Sequence, residues 1–472
     1  MSWRYDAFRI AIVGGGFSGT LVAAHLLRRP TDRSLHITMV ERASRFAAGV
    51  AYGTRSPAHL LNVPAGKMSA FVDDPQHFLR WAQRRDRRVK AESFLARRLY
   101  GEYLRSVLEE AKAAAAPQHR LDHVTDAATA IDVDEIKPGA VVTLRCGRRL
   151  AADRVVLALG NYPPADPPVA DDGFYSSQRY IRDPWDGQAL GAIPSESPVL
   201  LIGTGLTMCD VAISLLERGH RGSIYALSRH GLLPQAHRPI AAHYPFPFIF
   251  DFPLTVRRLL RTIRHEVRAA KGLWKDWRAV TDSLRPITQE IWRSLAPDER
   301  RRFLRHVRHY WEAHRHRVAP EIAATLNGMI EARRLTLYAG RVTAYREDAS
   351  GVDVLFRPRR RLGHDSLRVE YVVNCTGPNT DFNRIDDPLI KHLRRCGHIR
   401  PDELGLGIET TDDGALISAN GTRSRTLYTL GPPRKGQLWE TTAVPEIRAQ
   451  AAALARDLIA PLRRRAPIAL PA

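Results

Sequence analysis

The chain has 472 residues, enough for two or three domains with sizeable cores, and a hydrophobic fraction of 44% typical of a globular protein. Its net charge of +21, much of it arginine in runs such as Arg359-Arg360-Arg361 and Arg463-Arg464-Arg465, favours anionic partners, although no aromatic-interleaved basic motif points to nucleic acid. No apolar run reaches the roughly 20 residues that cross a bilayer, no leader is visible, and Cys146, Cys209, Cys375 and Cys396 form no Cys-x-x-Cys pair; the expectation is a cytoplasmic protein with no membrane partner, no metal and no redox dithiol.

Residues 8–13 are apolar and β-branched and break at glycines in Arg9-Ile-Ala-Ile-Val-Gly14-Gly-Gly16-Phe17-Ser18-Gly19. Residues 20–29 have helix-forming character, and 35–40 read as a second strand that ends at Glu41. This is a β-α-β unit with a complete G-x-G-x-x-G signature. Gly14 permits the tight turn, Gly16 lets backbone approach a pyrophosphate, and Gly19 lets helix and strand pack closely. The helix N-terminus offers free N–H groups and partial positive charge to phosphates. Glu41 stands where a ribose-binding acid is expected, and Phe17, Ser18 and Arg42 are assigned to the same dinucleotide site.

The Gly/Pro-punctuated segment from Gly49 to Phe71 reads as a loop folding back over the cofactor. Helical stretches follow to about residue 116, then a hairpin over 140–145 and 148–153, and an apolar run that ends at Gly160. Residues 163–198, rich in Pro, Asp and Ser, read as a crossing linker. A second glycine signature follows, Pro198-Val-Leu-Leu-Ile-Gly203-Thr-Gly205-Leu-Thr-Met208, in a β-α-β unit over 198–230. Met208 replaces the third glycine, which implies a wider helix–strand spacing. The next strand ends in Ser228-Arg229-His230 with no carboxylate, a pattern that accommodates a 2′-phosphate and favours NADPH over NADH. Two such motifs in one chain suggest FAD in one fold and NAD(P)H in the other.

Residues 236–330 open with the aromatic stretch Tyr244–Phe250 and become helical and basic, a helical insertion in the second nucleotide domain. His306, His309, His314 and His316 have no carboxylate or cysteine at ligand spacing, and Trp274, Trp277, Trp292 and Trp311 read as helix-packing residues. Strands resume and reach Tyr371-Val-Val-Asn-Cys-Thr-Gly377, the partner of the run ending at Gly160; such pairs join the two domains of nested flavoproteins. Thr426–Gly431 is a last strand, followed by a helix from about Thr442, with Thr441 or Thr442 as its cap and Pro445 in its first turn. Gly431, Thr441 and Thr442 are therefore expected at the flavin. The fold class is α/β, with two Rossmann-like dinucleotide-binding domains in the glutathione-reductase-like two-domain arrangement, the second nested in the first: 1–165 and 376–472 for FAD, 195–375 for NAD(P)H.

The segments Ile12–Gly19, Gly49–Gly53, His59–Ser69, Leu201–Thr207 and Trp439–Arg448 resemble the bacterial FAD/NAD(P)-binding monooxygenase family that includes FAD-dependent urate hydroxylase and L-aspartate N-monooxygenase. The resemblance implies a hydroxylase that uses FAD, NAD(P)H and O2 on a small nitrogen-rich anion through a flavin C4a-hydroperoxide. Urate conversion to 5-hydroxyisourate is the first expectation; aspartate-type N-hydroxylation, or oxidoreduction without oxygen insertion, is the alternative. Asn62 and Lys67 are the expected catalytic residues, Asn62 near flavin N5 and Lys67 drawing in the anion. The F-x-G-x-x-x-H segment of related N-hydroxylases is absent: Gly173–Tyr180 has Ser176 or Ser177 near the position of its histidine.

Overall fold

In the computed structural model, which describes residues 7–43, 45–134, 138–238, 244–246, 253–272 and 276–462, the chain divides into two units built from interleaved pieces. The first comprises Met1–Arg55, Pro64–Tyr162 and Thr380–Ala472, the second Ser56–Val63 and Pro163–Asn379. The Arg463–Arg465 run, Trp274 and residues 247–250 of the aromatic stretch lie outside the described residues.

The first unit opens with β1 (Phe8–Val13), α1 (Phe17–Leu27) and β2 (Leu35–Glu41), and continues through α2 (Arg97–Ala113) to β3 (Arg120–Thr125). Strands β4 (Ala128–Asp134), β5 (Gly139–Leu144) and β6 (Arg149–Ala152) form a separate antiparallel sheet, and β7 (Arg154–Leu157) returns beside β1. The second unit contains β8 (Tyr180–Ile181), β9 (Val199–Ile202), α3 (Leu206–Glu217) and β10 (Ile224–Ser228). Its helical stretch follows: α4 (Val256–Gly272), α5 (Trp277–Ser283), α6 (Thr288–Ser294), α7 (Pro297–His306), α8 (Arg308–Arg315) and α9 (Pro320–Glu331). Strands β11 (Leu335–Asp348), β12 (Gly351–Pro358), β13 (Asp365–Val369) and β14 (Tyr371–Asn374) complete it. The chain then returns to the first unit with α10 (Pro388–Arg395), β15 (Ala415–Ile417), β16 (Arg423–Thr429) and α11 (Val444–Ile459).

The main sheet of the first unit has the order β15-β16-β7-β1-β2-β3, parallel except for β15. Strand β1 is buried at five of its six residues, and a strand covered on both faces reads as a continuous apolar run. Every residue of α1 is buried, which is why Phe17–Leu27 lacks a polar stripe; the helix packs on both α2 and α11. The chain leaves β1 toward β2 on one side, and β7 flanks it on the other. The C-terminal end of β1 is thus a topological switch point, where open α/β sheets bind ligands.

The second unit repeats the plan in the order β13-β12-β11-β10-β9-β14-β8, with β9 between β10 and β14 and an antiparallel extension through β12 and β13. The helical stretch has its own small core, in which Tyr244, Phe246, Ala270, Ala279, Val280 and Leu284 are buried and Ile263, Val267 and Trp311 pack against them. Trp292 is buried as well, so Trp292 and Trp311 take the packing role expected of them.

Candidate dinucleotide sites

In the first unit the glycine turn does three distinct jobs. Gly14 has φ +111°, and a Cβ there would lie 2.2 Å from the Ala158 carbonyl oxygen, so β7 leaves no room for a side chain. A Cβ at Gly19 would lie 2.0 Å from the Gly14 carbonyl oxygen and 3.1 Å from Ile12 Cγ2, so its absence lets α1 sit close to β1. Gly16 differs: a Cβ would meet only Gly49, at 3.4 Å from its Cα. Gly16 is the N-cap of α1, no side chain caps the helix, and its first turn has no acid. Orphan N–H groups, the helix dipole and an open glycine together fit a pyrophosphate. Replacing Gly19 with alanine is expected to force α1 off β1 and to destabilise the protein by about 3 kcal/mol, the upper range for overpacking, read as a lowered thermal midpoint.

Glu41 accepts hydrogen bonds from Gly15 N–H (2.7 Å) and Ala43 N–H (3.1 Å), one on each carboxylate oxygen. This fixes the acid against the turn and leaves lone pairs on both oxygens for ribose hydroxyls. Arg42 lies 3.7 Å from Asp387 and helps to line an open cleft of about 690 Å³ with Val124, Thr125, Asp126, Arg145, Cys146 and Arg148, beyond the ends of β2 and β3. The Gly49 segment is less loop-like than expected: Gly49–Tyr52 is a helical turn that begins with Gly49 at φ +59°.

The C-terminal piece reaches the same turn. Thr429 Oγ1 donates to the Leu157 carbonyl (2.7 Å), holding β16 to β7. Gly431 follows with φ +75°, and a Cβ there would lie 3.1 Å from Ser18 Oγ. Gln450 on α11 ties this region together: its Oε1 accepts from Gly431 N–H (3.0 Å) and its Nε2 donates to Thr441 Oγ1 (2.6 Å). The expected threonine cap is not formed. The N-cap of α11 is Ala443, with no side-chain cap bond: the helix starts beyond both threonines, the Thr441 hydroxyl is held by Gln450, and Thr442 is exposed. Pro445 does stand in the first turn. Arg448, also on α11, donates to the Ser69 carbonyl (3.0 Å).

The second turn follows the same logic. Gly203 has φ +114°, and a Cβ would lie 2.4 Å from the carbonyl oxygen of Cys375, the residue just after β14. Gly205 is the N-cap of α3; a Cβ there would meet nothing within 4 Å, no side chain caps the helix, and its first turn has no acid. Met208, in place of a third glycine, is fully buried. Gly160 and Gly377 have φ of +65° and +90° at the ends of the two matching strands, and a side chain at either would meet nothing within 4 Å.

The Ser228 hydroxyl is already occupied, bonded to Thr204 Oγ1 of the glycine turn (2.8 Å) and accepting from Gly231 N–H (2.9 Å). Arg229 is exposed and stands among cations. Partial desolvation of its guanidinium first, then Arg308 and Arg341, lowers its pKa, with Glu312 opposing; a guanidinium nonetheless stays charged. Arg359 reaches the Arg229 carbonyl (3.4 Å) and the ring of His230. The His230 ring stacks on His309 at 3.4 Å and 5°. Burial, then His309 and the neighbouring arginines, pushes His230 down to about 4, so this imidazole is neutral near pH 7. His309, one of four histidines without ligand spacing, thus belongs to an arginine-rich cluster at the end of β10. Among the described residues no group of three or more His, Cys, Asp or Glu could hold a metal ion.

Asn62 and Lys67 belong to different units, Asn62 to the second and Lys67 to the first. Asn62 accepts from His237 Nε2 through its backbone carbonyl (2.9 Å), and Lys67 is exposed at the end of the 3-10 turn Ala65–Lys67. His59 fastens residues 56–63 to the second unit: it is buried, with Nε2 at 2.8 Å from Ser214 Oγ and 3.1 Å from the Asp210 carbonyl on α3. Its role was hidden in sequence because its partners lie some 150 residues away.

Residues 11–162 match the family model described as FAD-NAD(P)-binding. No curated protein sequence matches the chain. Among solved structures, an ornithine N-hydroxylase from Kutzneria sp. 744 aligns with 96% of this chain and 98% of its own at 16% identity and a TM-score of 0.63. L-lysine 6-monooxygenase from Pseudomonas syringae aligns with 95% and 98% at 16% identity and a TM-score of 0.64. Thioredoxin reductase from Lactococcus lactis aligns with 96% and 100% at 9% identity and a TM-score of 0.53. The chain has the fold of two-domain FAD/NAD(P)-binding flavoproteins. Among the described residues no helix is long and apolar enough to cross a membrane.

Proposed function

We propose that this protein is an FAD-dependent, NADPH-driven monooxygenase that N-hydroxylates a small amine. The observation that carries the reading is the doubled construction: two uncapped helices, each behind an open glycine, Gly16 and Gly205, at the switch points of two separate sheets. FAD is assigned to the first turn, to which Ser18, Glu41, Gly431 and Thr441 converge, and NADPH to the second. The flavin, when bound, supplies two-electron transfer and the activation of O2. The protein supplies the rest: the N–H groups of Phe17, Ser18 and Gly19 for the pyrophosphate, Glu41 for the ribose, and the uncapped start of α11 for negative charge on the ring. Lys67, exposed, is a candidate for the carboxylate end of an amino-acid substrate, and Asn62 for a polar contact at the reacting side.

Full-length likeness to ornithine and lysine hydroxylases supports amine N-hydroxylation over the urate expectation. The test is anaerobic reduction with NADPH and then reoxidation with ornithine, lysine, aspartate or urate. One amine should give a hydroxylamine with little peroxide. Stoichiometric peroxide with every amine, or hydroxylated product from urate alone, overturns the reading.

The cluster around Arg229 supports NADPH over NADH. Loss of one charge-assisted hydrogen bond to a phosphate costs about 1.5–3 kcal/mol, so Arg229→Ala should raise KM for NADPH about 10–100-fold. KM for NADH should barely change; equal effects on both coenzymes would remove the case for 2′-phosphate recognition.

A further inference from the structure

Helix α4 has the sequence Val-Arg-Arg-Leu-Leu-Arg-Thr-Ile-Arg-His-Glu-Val-Arg-Ala-Ala-Lys-Gly. Its apolar side is spent on the core of the helical stretch, where Ile263 and Val267 pack and Ala270 is buried. The opposite side is different. Arg257, Arg261, Arg264 and Arg268 are all exposed, and at 3.6 residues per turn they fall within an arc of about 60°. They form a straight row about 17 Å long, flanked by exposed Arg258 and Lys271. Among the described residues none of these six pairs with a carboxylate. The one acid of the helix, Glu266, is taken by the Tyr244 hydroxyl (2.5 Å). Neighbouring α7 shows the contrast, since its Arg301 and Arg302 pair with Asp298 and Glu299. Like charges at i, i+4 destabilise a helix, so an unneutralised row is a cost in the isolated protein that an anionic partner removes.

We propose that this face of α4 docks on an anionic lipid surface. Four guanidinium groups in one straight line meet a plane of negative headgroups together. A duplex nucleic acid offers phosphates on two strands that flank a groove, and a helix reading it needs cations splayed to both sides; α4 also has no Asn, Gln, Phe, Tyr or Trp to meet bases. No large apolar side chain is exposed on α4, so the grip is electrostatic and peripheral, without insertion. The net charge of +21 adds long-range attraction. This departs from the expectation of no membrane partner, which rested on the lack of a spanning segment, and it is independent of the proposed oxidoreductase activity.

The test is co-sedimentation of the full chain with vesicles of phosphatidylcholine containing about 30% phosphatidylglycerol, against phosphatidylcholine alone. Binding to the anionic vesicles should be at least about tenfold tighter at ~0.05 M salt and should collapse by ~0.5 M. The triple variant Arg261→Glu, Arg264→Glu, Arg268→Glu should lose that preference. A control triple, Arg84→Glu, Arg87→Glu, Lys90→Glu, alters exposed residues of the first unit by the same total charge and should keep it. Unchanged circular dichroism melting confirms that both variants fold; if the α4 triple does not, Arg261→Gln with Arg268→Gln replaces it and should weaken binding severalfold. Equal binding to both vesicle types, equal loss in both triples, or tighter binding to a short DNA duplex than to the anionic vesicles overturns the proposal.

Discussion

A Gly16→Val protein is expected to fold and to purify colourless. Gly16 sits at φ −77°, a conformation open to any residue, and its Cβ would stand at an ordinary contact distance of 3.4 Å from Gly49 Cα. Valine is a poorer N-cap than glycine, so a stability loss of about 1 kcal/mol is the structural cost. The functional cost is larger, because the new side chain fills the space over the first N–H groups of α1. Losing two charge-assisted hydrogen bonds at about 1.5–3 kcal/mol each weakens FAD by about 10²–10⁴-fold. The ratio of absorbance at 450 to that at 280 nm, before and after incubation with FAD, reads the effect. A variant as yellow as the parent would remove FAD from this turn. Gly19→Ala is the contrast, since its clash is with backbone and its damage is to the fold.

Gly205→Val is expected to separate the two cofactors. Gly205 has φ −87°, and nothing lies within 4 Å of its Cβ position, so the variant should fold and stay yellow. Reduction by low NADPH should slow by about 10²–10³-fold, the loss expected when a side chain displaces the phosphates from the start of α3. Reduction by dithionite, which needs no coenzyme site, should be unaffected. A variant that bleaches with NADPH at the parental rate would move the coenzyme elsewhere. The neighbouring Gly203 could not serve in this test, since its Cβ would strike the Cys375 carbonyl.

Both glycine turns were legible in the sequence because all their parts are local. Strand, turn and helix follow one another within about 20 residues, and each glycine answers a steric need that recurs wherever that geometry does. The Thr441/Thr442 cap failed for the opposite reason: Gln450, a full helical turn and more away, captures the Thr441 hydroxyl, and tertiary hydrogen bonding overrides local capping preference. The arginine cluster around Arg229 was only partly readable. Arg308 comes from the helical stretch, Arg341 from β11 and Arg359 from just beyond β12, so no window of sequence contains the site. In sequence, residues 56–63 read as one loop with Lys67, and nothing in their composition announces that His59 anchors on α3. Substrate class was the least legible: the motifs that led to urate are those that hold cofactors, and cofactor motifs do not encode what is oxidised.

The first unit is written in three separated stretches, and β16, which zips onto β7, comes only after residue 423. During synthesis the growing chain therefore releases every residue of the second unit from the ribosome before the first can close its sheet. Until then the edge of β7 is bare, Gly431 and Thr441 do not yet exist, and the buried flank of α1 lacks α11. A chain cut short after Asn379 but before β16 should accordingly emerge with an intact second unit beside a sticky, flavin-free remnant, and a chaperone that shields strand edges would be needed for longest at β7.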